Sequence, residues 1–242
     1  MKIADRTWML EIGRENRSLN PVFCWDDHFR VLFDAGLPGQ VPLFEAALAE
    51  LGFSLGDVTH LLLTHQDMDH IGIAKDLLAL APAAQVWAHA AEAPYICGEQ
   101  TPVKLAQREA DGNTMTSAQR EELAAQKAAY ATRTVPISRL LKDQEVLPLC
   151  GGIKVIHTPG HTPGHACYLL HACRTLVVGD ALNATDGRLT GANPRYTADM
   201  DLSWKSIEKL SYCDASVVAS YHGGLVCGDI PLQLSNLAKN KG

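Results

Sequence analysis

The sequence predicts an α/β layered fold, and three observations carry that expectation. Short apolar runs alternate with amphipathic stretches of helical period through the first 90 residues. Some of those runs are apolar almost without interruption, as strands covered on both faces are. The second half returns to short strand-like runs, and four runs along the chain end in loops that carry histidine or aspartate. A strand–helix–strand rhythm of this kind builds a sheet with helices layered on it.

Taken in order, VFCWDD (22–27) and RVLFDAG (30–36) read as two strands around a turn. PLFEAALAELGF (42–53) is an amphipathic helix, with Leu43, Phe44, Ala47, Leu48 and Leu51 at helical spacing and Gly52 as its stop. VTHLLLT (58–64) is a buried strand, IGIAKDLLALAP (71–82) a helix closed by Pro82, and AQVWAHA (84–90) the next strand. Residues 92–135 break the rhythm. They end in the strong helix former SAQREELAAQKAAYA, with Thr116 or Ser117 as its cap, and read as an inserted helical subregion. Such an insertion covers a site, builds a homodimer surface, or simply packs on the side. Strands resume at GGIKVIHT (151–158), HACYLLHA (165–172), TLVVGDA (175–181) and ASVVASYHGG (215–224). NATDGRLTGANPRYTADMD (183–201) reads as a long polar loop, and AKNKG (238–242) as a frayed basic end. No repeat of fixed period and no linker divides the chain, so a single domain over residues 1–242 is expected.

Bulk properties remove several classes of function. A net charge of −6 does not favour a nucleic-acid-binding surface. No apolar run approaches the ~20 residues of a membrane helix. The stretch MKIADRTWMLEIGREN carries Asp5, Arg6 and Glu11 where a signal peptide would be continuously apolar, so a cytoplasmic protein is expected. Seven scattered cysteines without a CxxC pair argue against a disulfide scaffold and a cysteine zinc knot, and for free, mostly buried thiols.

Chemistry gathers at the strand ends. THQDMDH (64–70) holds His65, Asp67, Asp69 and His70 within six positions; three further loops bring His161, Asp180 and His222. In an extended segment residues 65, 67 and 69 face one way and 70 the other, so a compact turn there can feed two adjacent metals. Seven ligands of mixed nitrogen and oxygen type suit two divalent ions bridged by a carboxylate. Two such ions can share a hydroxide and polarise a substrate oxygen. His28, His60, His89 and His171 lack such company and read as surface or core histidines.

HQDMDH, TPGHTPGH, GDA and YHGG, in that order, resemble the metallo-β-lactamase superfamily and its HxHxDH signature, and FDAG resembles that family's early turn at Asp34. The resemblance runs from about residue 20 to 225. It implies a four-layer αββα sandwich with the site at one edge. It also implies that His65, Asp67 and His161 hold a first metal, that Asp69, His70 and His222 hold a second, and that Asp180 bridges them. His165 and Asp34 would then support the ligands without touching metal. Asp67 departs from the family pattern, in which histidine is commonest, and makes the first site harder and more negative.

The expected function is metal-dependent hydrolysis of a small-molecule ester, thioester, lactone or similar bond by a metal-bridged hydroxide. Asp69 and Asp180 are the catalytic carboxylates. Tyr196 is a further catalytic candidate, read with Asn183 and Arg195 either as a donor to the substrate or as a turn residue on the rim. Zinc is the expected metal, with manganese or iron as alternatives. The rival functions are a di-iron redox protein, which Asp67 motivates, a phosphodiesterase or nuclease of the same superfamily, and a non-catalytic metal scaffold.

Overall fold

A computed structural model describes residues 1–14, 17–110, 112 and 115–240. The chain opens with β1 (Lys2–Ala4), β2 (Thr7–Met9) and the hairpin β3 (Ile12–Arg14) and β4 (Arg17–Leu19). Then come β5 (Val22–Trp25), β6 (Arg30–Phe33), α1 (Val41–Ala49), β7 (His60–Leu62), α2 (Met68–Ile71), α3 (Ala74–Leu80) and β8 (Gln85–His89). The inserted helices are α4 (Ala93–Ile96), α5 (Val103–Ala110) and α6 (Ser117–Ala131). After them run β9 (Arg139–Leu141), β10 (Val146–Leu147), β11 (Ile153–His157), β12 (Ala166–Leu170), β13 (Thr175–Val177), β14 (Leu182–Thr185), β15 (Arg188–Gly191), α7 (Met200–Leu210), β16 (Val217–Ser220), β17 (Gly224–Cys227) and α8 (Ile230–Asn240).

Beside the two-stranded hairpins β3–β4 and β14–β15, two large sheets form, one of seven strands ordered β1-β2-β5-β6-β7-β8-β9 and one of six ordered β10-β11-β12-β13-β16-β17. Side-chain alternation explains why they stack. Val22, Cys24, Val31, Phe33 and Leu62 of the first sheet meet Val155, Tyr168, Leu170, Val177 and Ala219 of the second in one apolar layer. The intervening residues Phe23, Leu32, Leu61 and Leu63 turn outward onto Phe44 and Leu48 of α1 and Leu77 of α3. On the far side, Cys167, Leu169 and Leu176 pack on Ile207 and Leu210 of α7 and Ile230 and Leu234 of α8. Both faces of each sheet are therefore apolar, and the order of layers is αββα. Phe33 and Tyr168 pack ring on ring across the middle layer, centroids 5.3 Å apart.

This topology decides where the polar loops gather. β6 and β7 run parallel, so Asp34 and the 64–70 turn leave the sheet at the same edge. β11 and β13 both run antiparallel to β12, and β13 runs parallel to β16. The segments after β11, β13 and β16, carrying His161, Asp180 and His222, therefore leave at one common edge as well.

Several expectations are refined. The helix expected over 71–82 starts later, as α3 from Ala74, and the separate turn α2 precedes it; between them Gly72 packs so closely on the 36–38 backbone that a Cβ there would lie 2.4 Å from the Gly36 carbonyl oxygen. Thr116 caps α6, its hydroxyl accepting from the Gln119 amide. The loop expected over 183–201 is half a β-hairpin, β14–β15, closed by Asp186 and Gly187 at φ 51° and 72°. The frayed end is not observed as far as it is described: α8 continues to Asn240, and residues 241 and 242 lie outside the described residues. All seven cysteines are free, but only Cys24 and Cys167 are fully buried and Cys227 is exposed. No helix among the described residues is long and apolar enough to cross a membrane.

Candidate metal centre

The 64–70 segment leaves β7 and turns at once into the single turn of α2. Asp67 sits in extended conformation just before that turn and Asp69 lies within it, so the two carboxylates part. The side chains fall into two groups. His65, Asp67, His161 and Asp180 each offer one donor atom, all within 4.8 Å of one another; Asp69, His70 and His222 do the same. Asp180 stands between the groups. Its Oδ2 lies 3.4 Å from His161 Nε2, while its Oδ1 lies 3.1 Å from His70 Nε2 and 3.2 Å from His222 Nε2.

The imidazoles are aimed by what holds their other nitrogen. His70 Nδ1–H donates to Asp34 Oδ2 at 2.9 Å. His65 Nδ1–H donates to the Thr64 hydroxyl at 3.0 Å, and that hydroxyl donates to Asp34 Oδ2 at 2.8 Å. His161 Nδ1–H donates to the Thr197 hydroxyl at 3.4 Å. Each therefore turns an Nε2 lone pair into its group, the arrangement in which outer partners fix a metal-binding histidine. His65 Nε2, His70 Nε2 and Asp180 Oδ1 are buried without a hydrogen-bond partner. Buried polar atoms without partners are costly, and a cation among them would satisfy all three.

Charge points the same way. Burial opposes ionisation of Asp67, yet His65, His161 and Lys104 hold its carboxyl well below the usual range. Asp180, partly buried, is likewise depressed, by His70, His161 and His222. Burial, with His70 beside it, lowers His65 to about 4, so its ring is neutral and able to ligate. Burial also works against charge on His222, but Asp180 and Asp69 raise it to about 9. The carboxylates attract positive charge wherever a group can supply it.

The supporting residues fall into place. His165 does not share the grouped lone pairs: its Nε2 accepts the Asp180 backbone N–H at 3.1 Å and its Nδ1–H donates to the Thr158 hydroxyl at 2.8 Å. Gly179, at φ 47°, lets the chain pass so close that a Cβ there would lie 2.7 Å from Thr64 Oγ1 and 2.8 Å from His165 Nε2. Tyr221 donates its hydroxyl to the Asp69 carbonyl and so ties β16 to α2.

Three residues escaped the sequence reading. Lys104 of α5 donates to Asp67 Oδ2 and lies 3.0 Å from His161 Nε2. Glu92, wholly buried, accepts from the Gln66 backbone and side-chain amides and from the Gly164 N–H, each at 2.8 Å. It thus braces the loop of His65 and Asp67 against the loop of His161. Gln66 in turn accepts from the Val103 N–H at 2.8 Å through Oε1 and from the Tyr130 hydroxyl at 2.6 Å through its carbonyl, which anchors α5 and α6. Of these only Glu92 left a local signal, a lone acid within the apolar stretch AHAAEAPYI.

The rim residues fare unevenly. Asn183 donates its amide to the Gly191 carbonyl inside the hairpin, so it serves the turn rather than the site. Arg195 lies over the Tyr196 ring at 5.5 Å, and Tyr196 itself is half exposed, its ring centroid 5.8 Å from Lys104 Nζ.

A four-layer αββα sandwich with a histidine–aspartate cluster at its edge defines a class, and the sequence comparison agrees. The chain matches the sequence profile of the Metallo-beta-lactamase superfamily over residues 18–222 and belongs to that family. It is 26% identical over 215 residues to the probable metallo-hydrolase YflN of Bacillus subtilis (strain 168), a match covering 82% of this chain and 76% of that protein. The probable metallo-hydrolase YybB of the same organism is 28% identical over 223 residues, covering 92% and 82%. Among solved structures, a metallo-beta-lactamase family protein from Thermus thermophilus superposes with a TM-score of 0.75 at 23% identity, covering 99% of this chain and 80% of that one.

Proposed function

We propose that this protein is a hydrolase in which two divalent cations act on an ester, thioester, lactone or similar bond of a small molecule. One observation carries the reading. Seven side chains converge in two groups, and Asp180 turns one carboxylate oxygen toward each. His65, Asp67 and His161 would hold the first ion, Asp69, His70 and His222 the second, with Asp180 between them. When bound, such a pair supplies an activated water near neutral pH and polarises a substrate oxygen.

The chain's own residues do the rest. Asp34, Thr64 and Thr197 keep the imidazoles aimed, so little reorganisation accompanies the reaction. Asp69 Oδ2, 3.3 Å from His222 Nε2 and about one-third exposed, orients the attacking water and holds its proton for the leaving group. Tyr196, half exposed beside Lys104, stands where it can donate to a substrate carbonyl. Each group offers two imidazoles and one carboxylate beside Asp180, a donor set that suits zinc and also accepts manganese or iron.

The test is to load the protein with zinc or manganese and assay esters, thioesters, lactones and phosphodiesters. Turnover of one class that is lost with chelator and restored by metal supports the reading. No hydrolysis in any class, with oxygen consumption by the iron-loaded protein, would replace it with the redox function.

A further inference from the structure

Lys104 holds an unusual place for a lysine on an inserted helix. It is the second residue of α5, and the start of that helix is fixed by the Val103 N–H on Gln66, the residue between His65 and Asp67. The position of the ammonium is therefore set by the same segment that presents two of the grouped donors. It uses the Asp67 carboxylate oxygen that also lies 3.3 Å from His65 Nε2 and 3.1 Å from His161 Nε2. At 3.0 Å it also engages the Nε2 lone pair of His161. A cation held by His65, Asp67 and His161 needs that oxygen and that lone pair. An ammonium and a divalent ion cannot share them, because like charges about 3 Å apart in a partly buried site repel strongly. The second group has no such neighbour: in the described ion pairs Asp69, His70 and His222 meet only one another, Asp34 and Asp180.

Resting on the two-cation reading above, we infer that Lys104 is a tethered counter-ion of the first group, which takes up a divalent cation only by displacing this ammonium. The two groups are then unequal by design of the chain. Asp69, His70 and His222 fill first; His65, Asp67 and His161 fill at higher metal concentration. The displaced ammonium has a landing place, since the half-exposed Tyr196 ring lies 5.8 Å from Nζ and offers a face for a cation. α5 thereby couples the inserted helices to metal occupancy.

The test is calorimetric titration of the metal-free full chain with Zn2+ in wild type, Lys104→Met and Lys104→Gln, with thermal melting as the check on folding. Lys104→Met keeps the length of the stem and removes the charge; Lys104→Gln decides the matter if that variant does not fold. The expected result is two unequal steps in wild type, with the weaker step at least about tenfold tighter in the variants and the stronger step unchanged. A single step in wild type and two in the variants also supports displacement, while overturning two-ion occupancy of the native chain. Two steps unaltered by the substitutions overturn the role of Lys104 and leave the proposed function standing. A single step of about one ion per chain in all three proteins overturns both, since removing the ammonium then opens no site; a single step of about two ions in all three overturns only the role of Lys104.

Discussion

Asp34 Oδ2 lies 2.9 Å from His70 Nδ1, and both side chains are fully buried. A carboxylate can only accept, so this contact fixes the imidazole tautomer and turns its Nε2 toward Asp180. Asp34 also accepts the Thr64 backbone N–H at 2.8 Å, and its backbone is held at φ 63°, a conformation aspartate tolerates better than most residues. Replacing Asp34 with alanine frees the ring and strands a buried N–H. Metal affinity of the Asp34→Ala protein is expected to fall about 10–100-fold, measured by competition with a chromophoric chelator. An unchanged affinity would mean that His70 is aimed by packing alone.

Asp180 is the residue common to both groups. Asp180→Ala is expected to hold at most one ion per chain and to lose at least about 100-fold in turnover. Its circular dichroism should match wild type, because the Asp180 backbone N–H that His165 accepts is kept. Full activity in this variant would remove the two-ion mechanism.

Asp67 sets the character of the first group. Asp67→His exchanges an oxygen donor for a nitrogen donor and removes a negative charge, so the preference for zinc over manganese should rise by at least about tenfold. Competitive loading with equimolar ions, read by elemental analysis, checks this; the same ratio in both proteins would show that Asp67 is not a ligand.

Glu92 predicts a pH dependence away from the metal. Burial pushes its carboxyl from 4.5 up to about 7, against the Gln66 and Gly164 donors that favour the charged form. A raised folded value means that the folded state holds the proton more tightly than the unfolded one. This contribution to stability is fully present below about pH 4.5 and is lost as pH rises through about 7. At about 1.4 kcal/mol per unit its full size is about 3 kcal/mol. Thermal melts of wild type and Glu92→Gln between pH 4.5 and 8 should differ in slope, steeper in wild type. Parallel curves would show that Glu92 stays charged throughout.

The layers and the polar edge were legible because local pattern dictates them. Runs such as VTHLLLT are strands buried on both faces, and each ends where a side chain is wanted. Asp67, Asp69 and His70 were legible for the same reason: six adjacent residues cannot hide their spacing. Lys104 was not, since a lysine near the start of a polar helix looks like any solvated lysine. What makes it different is a fold-level fact, the docking of α5 on Gln66, 37 residues earlier. The β14–β15 hairpin is a different kind of miss. Asp186-Gly187 between alternating residues is a strong local signal for a tight hairpin turn, and the polar composition around it outweighed that signal.

The most direct measurement is the metal content per folded chain after equilibration with excess zinc and removal of unbound ion, read by plasma mass spectrometry. The two-group geometry predicts about two equivalents, falling to about one in Asp180→Ala. One equivalent or fewer in the wild-type chain at saturation would contradict a centre built for two cations.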